Sequence, residues 1–221
     1  AGLDSIEGGN GDDFIKSGKD SDQVSGGEGD DTLFLGSGDD NADGGAGNDR
    51  ILGGSGRDFV NGGDGDDKIF LHNGDDVATG GDGNDTMNGG NGIDYLIGGD
   101  GDDKIRGGNG IDFLAVGDDN DTVWGGADAD FFAFRGDTGT GSADIRDFAA
   151  AEDMIMIEFN LATTQAQQFD AFTEGAVQSG SNVIYTNETG GVIVTFRNTD
   201  LTDITIDNFQ DVAGSALMYG G

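Results

Sequence analysis

Apolar side chains fall on a nine-residue comb that runs from Ile6 to Phe132. Counting units from Gly8, the eighth position is apolar in all 14: Ile15, Val24, Leu33, Ala42, Ile51, Val60, Ile69, Ala78, Met87, Leu96, Ile105, Leu114, Val123 and Phe132. The six positions ahead of each are dominated by Gly and Asp, which suit turns. The period predicts a six-residue turn followed by a three-residue strand with one inward side chain. So short a strand cannot bury its face alone, so units must stack. Two units per coil give an 18-residue period and an all-β, right-handed parallel β-roll (β-helix) with a sheet on each side. Residues 18 apart then lie one above another at about 4.8 Å. Seven coils fit between Gly8 and Ala133, a stack of about 34 Å.

The other positions are nearly as strict. The second is Gly in 13 of 14 units, the exception being His72. The fourth is Gly in 11, with Asp20, Asp119 and Asp128 as exceptions. The first is Gly in 10, replaced by Ser17, Leu35, Leu71 and Val116. Leu35 and Leu71 are each followed seven residues later by a small residue, Ala42 and Ala78, which reads as a volume swap in the core.

The sixth position is Asp throughout. Asp13, Asp31, Asp49, Asp67, Asp85, Asp103 and Asp121 stack along one edge of the predicted roll. Asp4, Asp22, Asp40, Asp58, Asp76, Asp94, Asp112 and Asp130 stack along the other. Carboxylates at coil spacing repel by about 4 kcal/mol per pair at an effective dielectric near 20. Such a ladder calls for cations between its rungs. Hard oxygens at this density select Ca²⁺, which takes six to eight of them flexibly, over Mg²⁺, which keeps its waters. Turn carbonyls are the expected co-ligands: Gly9, Gly11, Gly27, Gly29, Gly45, Gly47, Gly63, Gly65, Gly81, Gly83, Gly99 and Gly101. Residues 1–133 carry 31 acidic and 7 basic side chains. The gaps between rungs hold about 8–13 ions on this reading, and a filled ladder is close to neutral. The first edge, whose units are the more uniform, is expected to be the more regular.

Composition sharpens the picture. The 221 residues include 44 acidic and 10 basic side chains, a formal charge of −34, with 45 Gly and no Pro. That charge disfavours nucleic acid and anionic membranes as partners. Acidic, Gly-rich chains are usually disordered, but random low-complexity sequence does not hold a register for 14 units. Cysteine is absent, so no disulfide supports the fold. No apolar run approaches the length of a membrane span, and no secretory signal peptide is visible. Ala1 falls inside a unit, which predicts a piece of a larger protein.

The nonapeptide, as in Gly26-Gly27-Glu28-Gly29-Asp30-Asp31-Thr32-Leu33-Phe34, resembles the calcium-binding repeat of RTX (repeats-in-toxin) proteins. The resemblance implies a calcium-loaded β-roll at the secreted C-terminal end of a Gram-negative exoprotein. It implies export through type I secretion machinery, and folding on calcium outside the cell.

The period stops after Phe131-Phe132-Ala133-Phe134, where acidic density falls. This divides the chain into a roll, 1–133, and a capping and secretion region, 134–221. The second region resembles the tail of type I-secreted RTX proteins at Ala143-Asp144-Ile145-Arg146-Asp147-Phe148 and at Glu152-Asp153-Met154-Ile155-Met156-Ile157. Asp144 stands one residue closer to Ile145 than that pattern has it, and Ala151 and Met156 replace its Gly and Asp. Strands are expected at 143–148, 154–159, 183–186, 192–197 and 204–206, and a helix at 161–175.

No catalytic set emerges, so the chain is not read as an enzyme. His72 is the only histidine and stands where a turn glycine belongs. A His-based zinc site and a Ser/His/Asp set are therefore disfavoured. No threonine ladder of the ice-binding kind is present. Two other readings stay open. One is a surface-layer or adhesin module using calcium to attach to cell-surface polysaccharide or to its own copies. The other is an auxiliary module of a secreted protease, lipase or epimerase.

Overall fold

The computed structural model describes residues 2–117, 119–135, 141–158, 176–186 and 193–208. The chain winds as a parallel β-solenoid of about seven coils along the comb. One sheet holds β1 (Ser5–Asn10), β3 (Gln23–Glu28), β5 (Asn41–Ala46), β7 (Phe59–Asp64), β9 (Val77–Asp82), β11 (Tyr95–Asp100), β13 (Phe113–Ala115), β15 (Phe131–Arg135) and β17 (Met154–Glu158), in that order. The other begins with β2 (Phe14–Lys19), β4 (Thr32–Ser37), β6 (Arg50–Ser55), β8 (Lys68–Asn73), β10 (Thr86–Asn91), β12 (Lys104–Asn109), β14 (Asn120–Ala127) and β16 (Ser142–Ile145). We refer to them as sheets A and B. Comb strands pair two units apart, as in Ile6 beside Val24 and Ile15 beside Leu33.

The strands are longer than expected. From β1 to β12 each runs six residues and absorbs the first three positions of the unit, mostly Gly-Gly-x, that the sequence assigned to the turn, leaving a three-residue turn such as Gly56-Arg57-Asp58. Two features of glycine explain this. The first-position glycine faces inward, like the apolar residue two places before it. The second adopts a positive φ, 118° at Gly27, that most side chains avoid. There a β-carbon would collide with the carbonyl of Gly9, one coil earlier. The positions that lack glycine obey the same geometry. His72, Asp20, Asp119 and Asp128 all hold φ between 72° and 80°. Asp and His are among the side chains that enter this region at least cost.

All 14 eighth-position apolar residues are buried, and Leu35, Leu71 and Val116 join them from first positions. Leu35 and Leu71 share one core with Ala42 and Ala78, as a volume swap requires.

Beyond the comb, β17 extends sheet A against β15, and β16 extends sheet B against β14. Sheet B then gains β20 (Ile193–Phe196) in parallel, β19 (Asn182–Thr186) and β18 (Ala176–Ser179), the last two antiparallel. Val183, Tyr185, Val194 and Phe196 are buried, and Phe148 packs edge-on against Phe196 and tilted against Phe132. The expected strand at 204–206 is absent: a 3-10 turn covers Ile206–Asn208, with Asn208 donating to the carbonyls of Ala150 and Asp153. The helix expected at 161–175 lies outside the described residues.

Candidate metal centre

Every rung of the Asp comb is built the same way. The backbone N–H of one Asp donates to Oδ1 of the Asp one coil later. Thirteen such bonds span 2.7–3.0 Å, from Asp4→Asp22 and Asp13→Asp31 through Asp103→Asp121 and Asp112→Asp130. The carbonyls of Asp4 through Asp112, and of Asp130, each accept the N–H of the residue that follows the next rung, as in Gln23 to Asp4. Asp22, Asp31, Asp40, Asp49, Asp58, Asp67, Asp76, Asp85, Asp94, Asp103, Asp112, Asp121 and Asp130 are thereby buried. Asp4 is exposed and Asp13 half-buried, because no coil lies before them to cover them.

The ladder is thus less purely repulsive than stacked carboxylates would be, since Oδ1 is satisfied by the backbone. Oδ2 is not. From Asp13 to Asp112, all twelve comb carboxylates keep a buried Oδ2 with no hydrogen-bond partner. In nine of the twelve it points at the first-position glycine of its own unit; Asp22, Asp40 and Asp76 have Ser17, Leu35 and Leu71 there. A β-carbon on Gly26 would strike Asp31 Oδ2 and the carbonyl of Gly44. A buried oxygen without a donor is costly, and an ionised one far more so. Burial accordingly pushes Asp58 and Asp94 up to about 6, and Asp67, Asp76, Asp85, Asp103, Asp112 and Asp130 up to about 7. Neighbouring carboxylates add to the rise, and the N–H donated to Oδ1 opposes it. Asp40 and Asp49 are raised for the same reasons.

One further ladder and one further rung were not read from the sequence. At the fifth position of the first edge, Asp12, Asp30, Asn48, Asp66, Asn84, Asp102 and Asn120 form one column. Each accepts, through Oδ1, the backbone N–H of the next member up to Asn120. The second edge carries Ser21, Asp39, Arg57, Asp75, Ile93 and Ile111 there, and its chain of bonds breaks at Arg57 and after Ile93. Pooling both edges hid the column; separating units by parity would have shown it. The second omission is Asp153. It accepts the N–H of Asp130 through Oδ1 and of Ala149 through Oδ2, and burial pushes it to about 6. It is the next rung on that edge, at a sequence separation of 23 where the comb has 18. The Asp-Met-Ile that it opens repeats Asp130-Phe131-Phe132. On the first edge the rung after Asp121 is Ala143, so the carboxylates end there.

The donor set fits a hard divalent cation. The oxygens are carboxylate and carbonyl only, buried, and regular along both edges. Among the described residues no three acidic, His or Cys side chains converge on a point. Backbone carbonyls must therefore complete any shell. The fourth-position carbonyls of Gly11, Gly29, Gly47, Gly65, Gly83 and Gly101 receive none of the backbone hydrogen bonds of the turns. Those of Gly9, Gly27, Gly45, Gly63, Gly81 and Gly99 lie within strands. Calcium accepts such mixed shells. The model of the RTX calcium-binding nonapeptide repeat, four copies long, matches in overlapping stretches from residue 7 to residue 140.

The chain belongs to the RTX calcium-binding repeat family. That family binds calcium, and its repeats form parallel β-rolls. The solution structure of the AlgE6R3 subunit of the Azotobacter vinelandii mannuronan C5-epimerase is similar, with 22% identity and a TM-score of 0.43. That match covers 72% of this chain and 84% of the other. The crystal structure of the extracellular lipase LipA from Serratia marcescens matches at 20% identity and a TM-score of 0.39. It covers 95% of this chain, which spans 40% of the lipase. No curated protein matches the sequence.

Proposed function

We propose that this chain is a calcium-folded RTX module, non-catalytic in itself, that supports export, folding and stability of a larger secreted protein. The observation that carries the reading is the column of twelve buried, partnerless Oδ2 atoms. At neutral pH an ionised column of this kind is unfavourable without cations, so metal binding and folding become one event. The fifteen comb carboxylates, Asp4 to Asp130, hold calcium together with the turn carbonyls. When bound, calcium supplies charge neutralisation and nothing redox. The residues do the rest: Oδ1 locks each turn onto the preceding one, and the glycines let the coils close to contact.

Low calcium inside a Gram-negative cell keeps the chain unfolded for type I export, and extracellular calcium folds it outside. Residues 1–133 form the calcium-binding part and 134–221 the cap and secretion region. The hairpin β18–β19 supports this division, since it stops the parallel winding and leaves no roll strand unpaired at that end of sheet B. Native mass spectrometry of the chain in calcium tests the reading. About 8–13 bound ions are expected from six-to-eight-oxygen shells shared between turns. Fewer than five would contradict it.

A further inference from the structure

The outward side chains of sheet B are sorted by charge. Of the 10 cationic residues in the chain, six lie on β2, β6, β8 and β12: Lys16, Arg50, Lys68, Lys104 and Arg106 at positions flanking the buried eighth-position residues, and Lys19 at the end of β2. Arg146 and Arg197 continue the same face beyond β14 and β16. Among the described outward positions flanking the buried apolar residues of this sheet, Asp144 is the only carboxylate, held by Arg146 and Arg197. The corresponding positions of sheet A hold no cation. In a chain of net charge −34 this makes one narrow stripe of positive charge, two side chains wide, running along the stack axis.

Aromatic rings are set among these cations. Lys16 sits over Phe14 and Phe34, Arg50 over Phe70, and Arg106 and Arg146 over Trp124, at 5.0–5.9 Å from the ring centres. Such stacking holds guanidinium groups flat and ready, which lowers the entropy lost on binding an anion. Thr86, Asn88 and Thr122 place hydroxyl and amide groups between them, half-buried and facing out.

We propose that this stripe binds an extended carboxylated polysaccharide lying along the axis of the roll, through side chains rather than through calcium. The stripe exists only when the coils stack, so the proposal rests on the calcium-folded roll. Cations arrive at somewhat under one per coil, which matches a chain with one carboxylate per sugar. Duplex nucleic acid carries one charge per about 1.7 Å of axis, far denser than the cations of this stripe. The hydroxyl and amide groups of Thr86, Asn88 and Thr122 offer hydrogen bonds to sugar hydroxyls.

Trp124 is the only tryptophan and lies in the stripe, so it reports occupancy directly. The test titrates the calcium-loaded chain with a short oligogalacturonate and with a neutral cello-oligosaccharide, following Trp fluorescence. The oligogalacturonate is expected to give a saturable change whose affinity falls with salt, and the neutral oligomer none. Lys68 and Lys104 have no ring partner. The double variant K68Q/K104Q is expected to lower the slope of log affinity against log salt by about two. Its circular dichroism and calcium midpoint should not change. Circular dichroism of every sample reads the calcium-dependent fold separately. A folded roll that leaves the oligogalacturonate unbound overturns the proposal while leaving the calcium reading in place. So does undiminished binding by K68Q/K104Q, or tighter binding of a single-stranded oligonucleotide or an anionic lipid vesicle.

Discussion

Asp13 donates its backbone N–H to Oδ1 of Asp31, one coil on, at 2.7 Å. The bond divides each comb carboxylate into two functions. One oxygen holds the coils in register; the other is left buried and unpaired, waiting for charge. The protein's dependence on its surroundings follows from that second oxygen.

The first prediction is a pH dependence in the absence of metal. The comb carboxyls from Asp58 to Asp130 whose folded values stand at about 6 to 7 start from 3.8 when unfolded. Between those values the roll retains protons that the unfolded chain has lost. Stability from this source is complete below about pH 4 and is lost as pH rises through 6 to 7. In chelator, β-structure should therefore increase from pH 8 to pH 5, with light scattering showing no aggregate. A β signal that grows with rising pH would refute it. With calcium present at pH 6, binding should release protons, seen as a heat that varies with the buffer's own ionisation.

The second concerns the inward glycines. Gly44→Ala would put a β-carbon against Asp49 Oδ2 and the Gly62 carbonyl. Overpacking of this kind costs about 1–3 kcal/mol. The calcium midpoint for folding should rise, although no ligand is removed. An unchanged midpoint would mean that the Asp side chain turns away at no cost.

The architecture was legible because it rests on a period. Apolar residues at Ile15, Val24 and Leu33 fixed both the coil length and the inward column, and all are buried. Where strands end was not legible. Gly26 and Gly27 read as turn, yet lie in β3, because tertiary stacking supplies the extended conformation that glycine does not itself favour. Asp153 was hidden by an insertion after Asp130 that takes it off the comb. Within the expected strand at 183–186 the inward face was not legible: Val183 and Tyr185 are buried and Ile184 half-buried, and a one-residue change of register would exchange the two faces.

A third prediction separates His72 from the metal sites. It stands exposed at φ 75°, where a glycine is usual. His72→Gly should stabilise the roll by up to about 1 kcal/mol. The calcium count by native mass spectrometry should stay the same. Loss of an ion would make His72, or the shape of its turn, part of a site.

The fourth tests the rung that continues the comb into the second region. Asp153→Ala removes the acceptor for the N–H groups of Asp130 and Ala149, which are then left without it at the junction. Leaving a buried donor unmatched costs about 1–3 kcal/mol. The effect should concentrate at the C-terminal end of the roll, as faster hydrogen exchange in β15 and β17 than in β3 and β5. A uniform change along all coils would argue against a local rung.

The most direct test of the coupled account is folding itself, followed by far-ultraviolet circular dichroism at neutral pH while calcium is added to chelated chain. The account predicts a disordered spectrum in chelator, a cooperative rise of β signal by millimolar calcium, and no such rise with magnesium at the same concentration. A fully formed β-roll in excess chelator at neutral pH would show that the buried Oδ2 column stands without metal, and would contradict it.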